Sequence, residues 1–390
     1  GPPTAAWHLA DALRGYLNLR MYTLEWRAVA EAGLAAAEAT GRPLARAACH
    51  LSLGTLDMLQ GRHEQAIEHL TEARAYAGRT RWQKGVAAAL GVLGSVHWGM
   101  GRLDEAATHY TRALAINRRT GWHPGQVGNM HNLGLVYFGL GRLPLAAATF
   151  TQALEIDQRF GSRAGIARTM ANLGDVQRSL GQLDEAAATL TSALSLAREI
   201  GDRYTEAGAE CALASVHRDA RRYREAQHHA SAAAALAHDV GDPILEADAI
   251  AVLAGAHHHL HHIRQAVDGY QRALALTRAA GEPYGQVTAL IGLAAARRDD
   301  RKLDDAADHC QAALATARHG RYRALEGQAL TVLATIHLRL GHRDQAIDAI
   351  QQAIQVHQET GQRLELRAAR HIAQQCGRLS QPLASAEEER

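Results

Sequence analysis

The chain has 390 residues, with 42 Lys and Arg against 40 Asp and Glu, a formal net charge of +2, and 5% aromatic residues. So balanced a charge gives no argument for nucleic-acid binding by itself, and no apolar run approaches the roughly 20 residues that a membrane span needs. Four widely spaced cysteines, Cys49, Cys211, Cys310 and Cys376, offer neither a CxxC pair nor a disulfide framework, so reduced thiols in a cytoplasmic protein are expected. The chain opens on Gly1-Pro2 rather than Met, which reads as a tag scar or a cut in a longer protein.

Residues 1–42 read as a degenerate helical hairpin, with Leu13 and Trp26 at its key places. From there a period of 40 takes over. A leucine falls at Leu53, Leu93, Leu133, Leu173, Leu213, Leu253, Leu293 and Leu333. Its partner is Gly54, Gly94, Gly134 and Gly174, then Ala214, Ala254, Ala294 and Ala334. A third position holds Ala66, Ala106, Ala146, Ala186, Ala226, Ala266, Ala306 and Ala346. A fixed period of this size marks a solenoid, and solenoids bind more often than they catalyse.

Residues 122–161 show how one unit works. Val127, Met130, Leu133, Val136, Tyr137 and Leu140 recur at helical spacing, and Gly141 ends the helix as a left-handed C-cap. A second helix is predicted over Leu143–Phe160 and ends at Gly161. The same stop recurs at Gly41, Gly121, Gly201, Gly241, Gly281 and Gly361. Asp242-Pro243 marks a helix start, as do Pro124 and Pro283, and Asp104-Glu105, Asp184-Glu185 and Asp304-Asp305 suit the positive end of the second helix. Eight such hairpins occupy 43–361, a capping helix follows at 362–377, and 378–390 is a polar tail expected to be loose. The expected fold class is therefore an all-α superhelical solenoid of about nine hairpins.

Leu133, Gly134, Ala146, Phe150 and Ala153 resemble the signature of the tetratricopeptide repeat, here 40 residues long against about 34 in the usual form. Tyr110 and Tyr270 fill the aromatic slot elsewhere; Leu70, Leu190, Ala230, Cys310 and Ile350 replace it. The front segment, Ala5-Ala6-Trp7-His8-Leu9-Ala10-Asp11-Ala12-Leu13-Arg14-Gly15-Tyr16, is similar to the start of the repeat region in large actinobacterial regulators of the Streptomyces antibiotic regulatory protein type. Those carry a DNA-binding domain, an NB-ARC switch domain and C-terminal tetratricopeptide repeats. The resemblance implies a sensor or autoinhibitory arm that controls upstream domains. A peptide scaffold without a small effector and a small-molecule-sensing array are the alternatives.

The resemblance also places the first helix of each hairpin on the inner wall, with inner positions two and one before the leucine and two, five and six after it. Five after the leucine stand Met58, Trp98, Phe138, Arg178, Arg218, His258, Arg298 and Leu338, an apolar run followed by a basic one. Asn132 and Asn172, one before it, look like the amides that hold peptide backbone in peptide-binding members. With His131, Arg168 and Asp175 these make a candidate groove for an acidic peptide, a protein segment such as the parent's own NB-ARC or DNA-binding domain, or an anionic small effector. Direct nucleic-acid contact and membrane contact are not expected, and self-association is left open. The run His257-His258-His259-Leu260-His261-His262 invites a metal, but His257 aligns with His97, Tyr137, His217 and His337, a packing slot. No Walker, HExxH or nucleophile motif is present, so neither an enzyme nor a cofactor is expected.

Overall fold

In a computed structural model the described residues are 22–378 together with His8, Leu9, Ala12, Leu13 and Tyr16. They form helices and turns, with no strand among them. In chain order the helices are α1 (Thr23–Ala39), α2 (Pro43–Leu59), α3 (His63–Arg79), α4 (Gln83–Gly99), α5 (Leu103–Arg119), α6 (His123–Gly139), α7 (Leu143–Phe160), α8 (Arg163–Ser179), α9 (Leu183–Ile200), α10 (Arg203–Asp219), α11 (Tyr223–Val240), α12 (Pro243–His259), α13 (Ile263–Ala279), α14 (Pro283–Asp299), α15 (Leu303–His319), α16 (Arg323–Leu340), α17 (Arg343–Thr360) and α18 (Arg363–Arg378). From α2 onward, helix starts repeat at the step of 40 seen in the sequence. None of these helices is long and apolar enough to cross a membrane.

The turns are built alike. After the first helix of a hairpin, the chain passes through a left-handed residue, and the next N–H bonds five residues back, as from Arg102 to the His97 carbonyl at 2.8 Å and from Gln182 to Gln177 at 2.9 Å. This satisfies carbonyls that a helix end leaves without partners. Glycine takes the left-handed place at Gly61, Gly101, Gly141, Gly181 and Gly341, but Arg221, His261 and Arg301 take it in three hairpins, with Arg81 and Arg321 in turns between hairpins. Helix starts follow the sequence signals: Asp242 Oδ1 accepts from the N–H groups of Ile244 and Leu245 at 2.9 and 3.0 Å, with Pro243 first in the helix.

Within a hairpin, the small residue after the key leucine faces the aromatic-slot side chain. A Cβ added at Gly174 would lie 2.5 Å from Leu190 Cγ; at Gly54 it would lie 2.6 Å from Leu70 Cγ. Glycine is therefore required there by the close approach of the two helices. The alanines of the third position, from Ala66 to Ala346, are fully buried at the same crossing.

The chain divides into two compact units, Gly1–Val136 and Tyr137–Arg390. In the first, Trp26 takes the register of Ala66 one repeat earlier, packs with Ala30, Leu53, Leu56 and Leu13, and donates its indole N–H to Ser52 Oγ at 2.7 Å. Asp57, 1% exposed, receives Arg27 and Arg62 Nε, the latter at 2.9 Å. Of the front segment 5–16 only His8, Leu9, Ala12, Leu13 and Tyr16 are among the described residues, and residues 379–390 lie outside them.

The second unit bends far enough to bring its first hairpins against its last. Gly141 is buried where Gly61, Arg221, His261, Arg301 and Gly341 are exposed, and a Cβ on it would lie 2.5 Å from Thr360 Cγ2 and 3.4 Å from the Ala324 nitrogen. Thr360 is buried where Phe160, Val240 and Ala280 are exposed. The Gly181 turn meets Arg363 and Leu364 at the start of α18 in the same way. The first helices α8, α10, α12, α14 and α16, with α18, thus surround a lumen.

Candidate functional site

Three of the candidate residues belong to the first unit. Trp98 lies half-buried near the end of α4, and His131 and Asn132 lie half-buried in α6. The Tyr110 hydroxyl shares a hydrogen bond with Ser95 Oγ at 2.9 Å and another with Asn132, and burial pushes its pKa up to about 12. The Asn132 amide thus has a partner in the preceding hairpin. In the second unit, Phe138 ends α6 half-buried, Asn172 is half-buried in α8, and Arg168 is exposed on α8.

The basic row of the second unit is a ladder of ion pairs. Arg178 donates from Nε to Asp175 Oδ1 and from Nη1 to Asp219 Oδ2, both at 2.8 Å. Arg218 donates to Asp219 Oδ1 from Nε at 3.0 Å and from Nη2 at 2.9 Å. Asp299 does the same one pair of hairpins on: it bonds His258 Nε2 at 2.8 Å, Arg298 Nη2 at 2.9 Å and Arg339 Nη2 at 2.8 Å. Arg298 also reaches Thr335 Oγ1 at 2.7 Å. So Asp175, Arg178 and Arg218 form one cluster, and His258 and Arg298 another.

The reason lies six residues after the leucine, where Asp219 and Asp299 follow Arg218 and Arg298 directly. Register puts that place on the same wall, and its aspartates pair with the arginines and histidine of the fifth place. Burial works against charge here, yet Asp175 and Asp219 overcome it and raise the Arg178 pKa above its ordinary value. Likewise, burial is outweighed at Asp219 by Arg218 and Arg178, and at Asp299 by His258 and Arg298, and both carboxyls are held below the usual range.

Deeper in the same lumen stand groups that sequence reading missed, because it stopped two residues short of the leucine. Asp248 lies five before it on α12; Tyr204 and Tyr284 lie nine before it on α10 and α14. Asp248, Tyr284 and Cys211 are half-buried on this inner side. They converge from separate hairpins. Burial, then Asp248 and Asp175, raise the Cys211 thiol; burial, then Asp175, raise the Tyr284 hydroxyl, against Arg178. Glu365 of α18 closes the group: its pKa is raised by burial, against Arg178 and Arg218, and its Oε2 is buried without a hydrogen bond.

The histidine run is absorbed locally. His257 Nδ1 lies 3.4 Å from His262 Nδ1, and His258 is bound to Asp299. Among the described residues no group of three His, Cys, Asp or Glu side chains could hold a metal ion. The chemistry available in the lumen is recognition of charge and hydrogen-bonding groups.

Comparison with known proteins agrees with the repeat architecture. Residues 25–119 and 126–199 match the family model of the tetratricopeptide repeat, and residues 314–375 match that of anaphase-promoting complex subunit 5. The chain thus carries tetratricopeptide repeats. No curated protein matches it significantly in sequence. Among solved structures, the apo form of RapI aligns with a TM-score of 0.60 at 11% identity, over 70% of this chain and 97% of that one. The Rap conjugation gene regulator of plasmid pLS20 in complex with the Phr* peptide aligns with 0.59 at 12% identity, over 86% and 98%. A Rap protein complexed with competence and sporulation factor aligns with 0.56 at 13% identity, over 85% and 99%. At these identities the likeness is one of fold.

Proposed function

We propose that this chain is the sensor array of a multidomain transcriptional regulator, and that the lumen of its second unit receives a peptide or small effector in the cytoplasm. The observation that carries the reading is the lumen itself: a solvent-reaching wall of polar side chains from four hairpins and α18, in which Glu365 Oε2 is buried without a hydrogen-bond partner and the half-buried Asp248 makes no hydrogen bond. Buried polar groups without partners are costly, and a ligand that supplies partners recovers that cost. Two of the structurally similar Rap proteins are complexes with a peptide or a factor, which supports a ligand of that class here. The regulator role rests on the resemblance of the front segment to the actinobacterial regulators.

The mechanism is a population shift. A ligand bridging α8, α12, α14 and α18 binds the closed second unit better than an opened one, and so favours the contact of the Gly141 turn with Thr360. Upstream switch and DNA-binding domains that touch the array would read that change.

The test is a thermal-shift screen of metabolites and peptides against the full chain and against Gly208→Trp. Gly208 holds the register of Asp248 in the preceding hairpin, and an added Cβ has nothing within 4 Å, so a tryptophan there projects its ring into the space beside that wall. A ligand that stabilises the wild type and not the variant is expected. Ligands that stabilise both alike would place recognition elsewhere and overturn the sensor reading of this wall.

A further inference from the structure

The charge balance of the lumen differs from the basic row seen in sequence. Arg178, Arg218, Arg298, Arg339 and His258 each hold a carboxylate. Asp248 holds nothing: it makes no hydrogen bond and no ion pair. The charged groups that act on it are Glu282 at the start of α14, Asp175 of α8 and Asp242 at the start of its own helix, all acidic. Asp175 is neutralised by Arg178, and Asp242 and Glu282 cap their helices.

Besides these carboxyls, register sets aromatic and aliphatic side chains near Asp248. Ile244 lies one helical turn before it, on the same face, and is 39% exposed. Tyr204 and Tyr284 occupy the register of Ile244 in the hairpins on either side, and burial with the charge of Asp248 among others raises both hydroxyl pKa values, against Arg168 at Tyr204 and Arg178 at Tyr284. Cys211 of α10 faces the same point with a thiol that burial keeps protonated. A carboxylate without a counter-ion, beside two tyrosines and an isoleucine, matches one chemistry: a cationic head on an apolar stem.

We propose that the lumen holds a subsite for an ammonium or guanidinium group, formed by Asp248 with Ile244 along its stem and Tyr204 and Tyr284 on either side. The proposal rests on the reading of this wall as the ligand-binding surface, and it reverses the sign of ligand charge that the arginine row suggested. A lysine or arginine side chain of a peptide and a free polyamine share this chemistry.

The site carries its own pH signature. Burial, then Glu282, Asp175 and Asp242, push the Asp248 pKa up to about 7. Burial also raises the Glu282 pKa, against the N–H groups of Gly285 and Tyr284 that hold its charge, while Tyr204, Tyr284 and Cys211 are raised away from neutrality. Asp248 is mostly protonated at pH 6 and mostly ionised at pH 8, so cation affinity rises about tenfold across that interval.

The experiment is a display of random hexapeptides on the full chain at pH 8, with the wild type, Gly208→Trp, Asp248→Asn and Asp248→Glu as baits. Peptides lost on Gly208→Trp are expected to carry Lys or Arg, to bind Asp248→Asn at least tenfold more weakly, and to keep binding Asp248→Glu. Their affinity falls about tenfold from pH 8 to pH 6 in the wild type and stays level in Asp248→Asn. Spermidine separates the two sources: stronger binding than any selected peptide assigns the subsite to a polyamine, weaker binding to a peptide side chain. Lumen-dependent peptides that are acidic, or that ignore Asp248→Asn, overturn the cation subsite and leave the wall as a ligand site. No peptide sensitive to Gly208→Trp, with spermidine also indifferent to it, overturns both.

Discussion

Replacing Asp219 by alanine tests the ion-pair ladder directly. Asp219 takes hydrogen bonds from Arg178 at 2.8 Å and from Arg218 at 2.9 and 3.0 Å, and the side chains of Asp219 and Arg178 are both only 15% exposed. A hydrogen bond to a charged group contributes about 1.5–3 kcal/mol, and stranding a fully buried charge costs about 3–5 kcal/mol. Neither arginine is fully stranded. Arg178 keeps Asp175 at 2.8 Å, and Arg218, 28% exposed, regains water. The net loss is therefore about 2 kcal/mol, felt in α8 and α10. Solenoids do not melt as one two-state body, so the measurement is backbone hydrogen exchange, helix by helix. Slow amides of α8 and α10 should exchange about 30-fold faster, from 1.4 kcal/mol per decade, while α2 and α3 stay unchanged. Asp219→Ala combined with Arg178→Ala should lose less than the sum of the two. Additive losses, or acceleration under threefold in α8, would refute the ladder as a structural element.

Gly174→Ala should lower local stability by about 1–3 kcal/mol, since its Cβ would lie 2.5 Å from Leu190 Cγ, whereas Gly78→Ala, with nothing within 4 Å, should gain about 0.5–1 kcal/mol; hydrogen exchange in α8 and α9 for the first and in α3 for the second checks the pair. Gly141→Ala and Gly161→Ala share a left-handed backbone, at φ 71° and 67°, and the same backbone cost of about 1–2 kcal/mol. Only Gly141→Ala meets Thr360, so only it should speed exchange at residues 320–325 and 358–364, and equal effects of the two would count against closure of the second unit. Acid should destabilise the array through its stacked histidines, His97 on His109 and His217 on His229, each pair 5.0 Å between ring centres. Burial, then His97 and Arg112, hold the His109 pKa down to about 4, and burial lowers His97 and His217. The unfolded chain then binds more protons, so stability is full above about pH 6.5 and declines as pH falls from there toward about 4. His109→Gln should remove about 1 kcal/mol of that decline at pH 5, and a melting temperature that stays flat down to pH 5 would contradict it.

The repeat was legible because each unit states the same local rules, and the predicted helix Leu143–Phe160 is the observed α7. Left-handed turns at Arg221, His261 and Arg301 were not legible, since only glycine advertises that conformation and the surrounding hairpin over-determines these three. Register brings Arg178 and Arg218 into one cluster and His258 and Arg298 into another, whereas their charge balance was not legible. Arginines at the fifth place look free until the neighbouring aspartates are set beside them, and Arg178 takes one from the next hairpin, 41 residues on. Asp248 escaped because lone carboxylates abound in any sequence, and only the lumen distinguishes this one.

Arrays of repeats ordinarily lengthen or shorten by whole units, because each unit depends only on the one beside it. The meeting of Gly141 with Thr360 removes that freedom from the second unit. One duplicated or deleted hairpin anywhere between those two residues would carry Thr360 past its seat and break the seal, even with every local interface intact. Evolutionary growth of this chain is thereby confined to the hairpins outside that span, while the number of bricks within it is fixed by geometry.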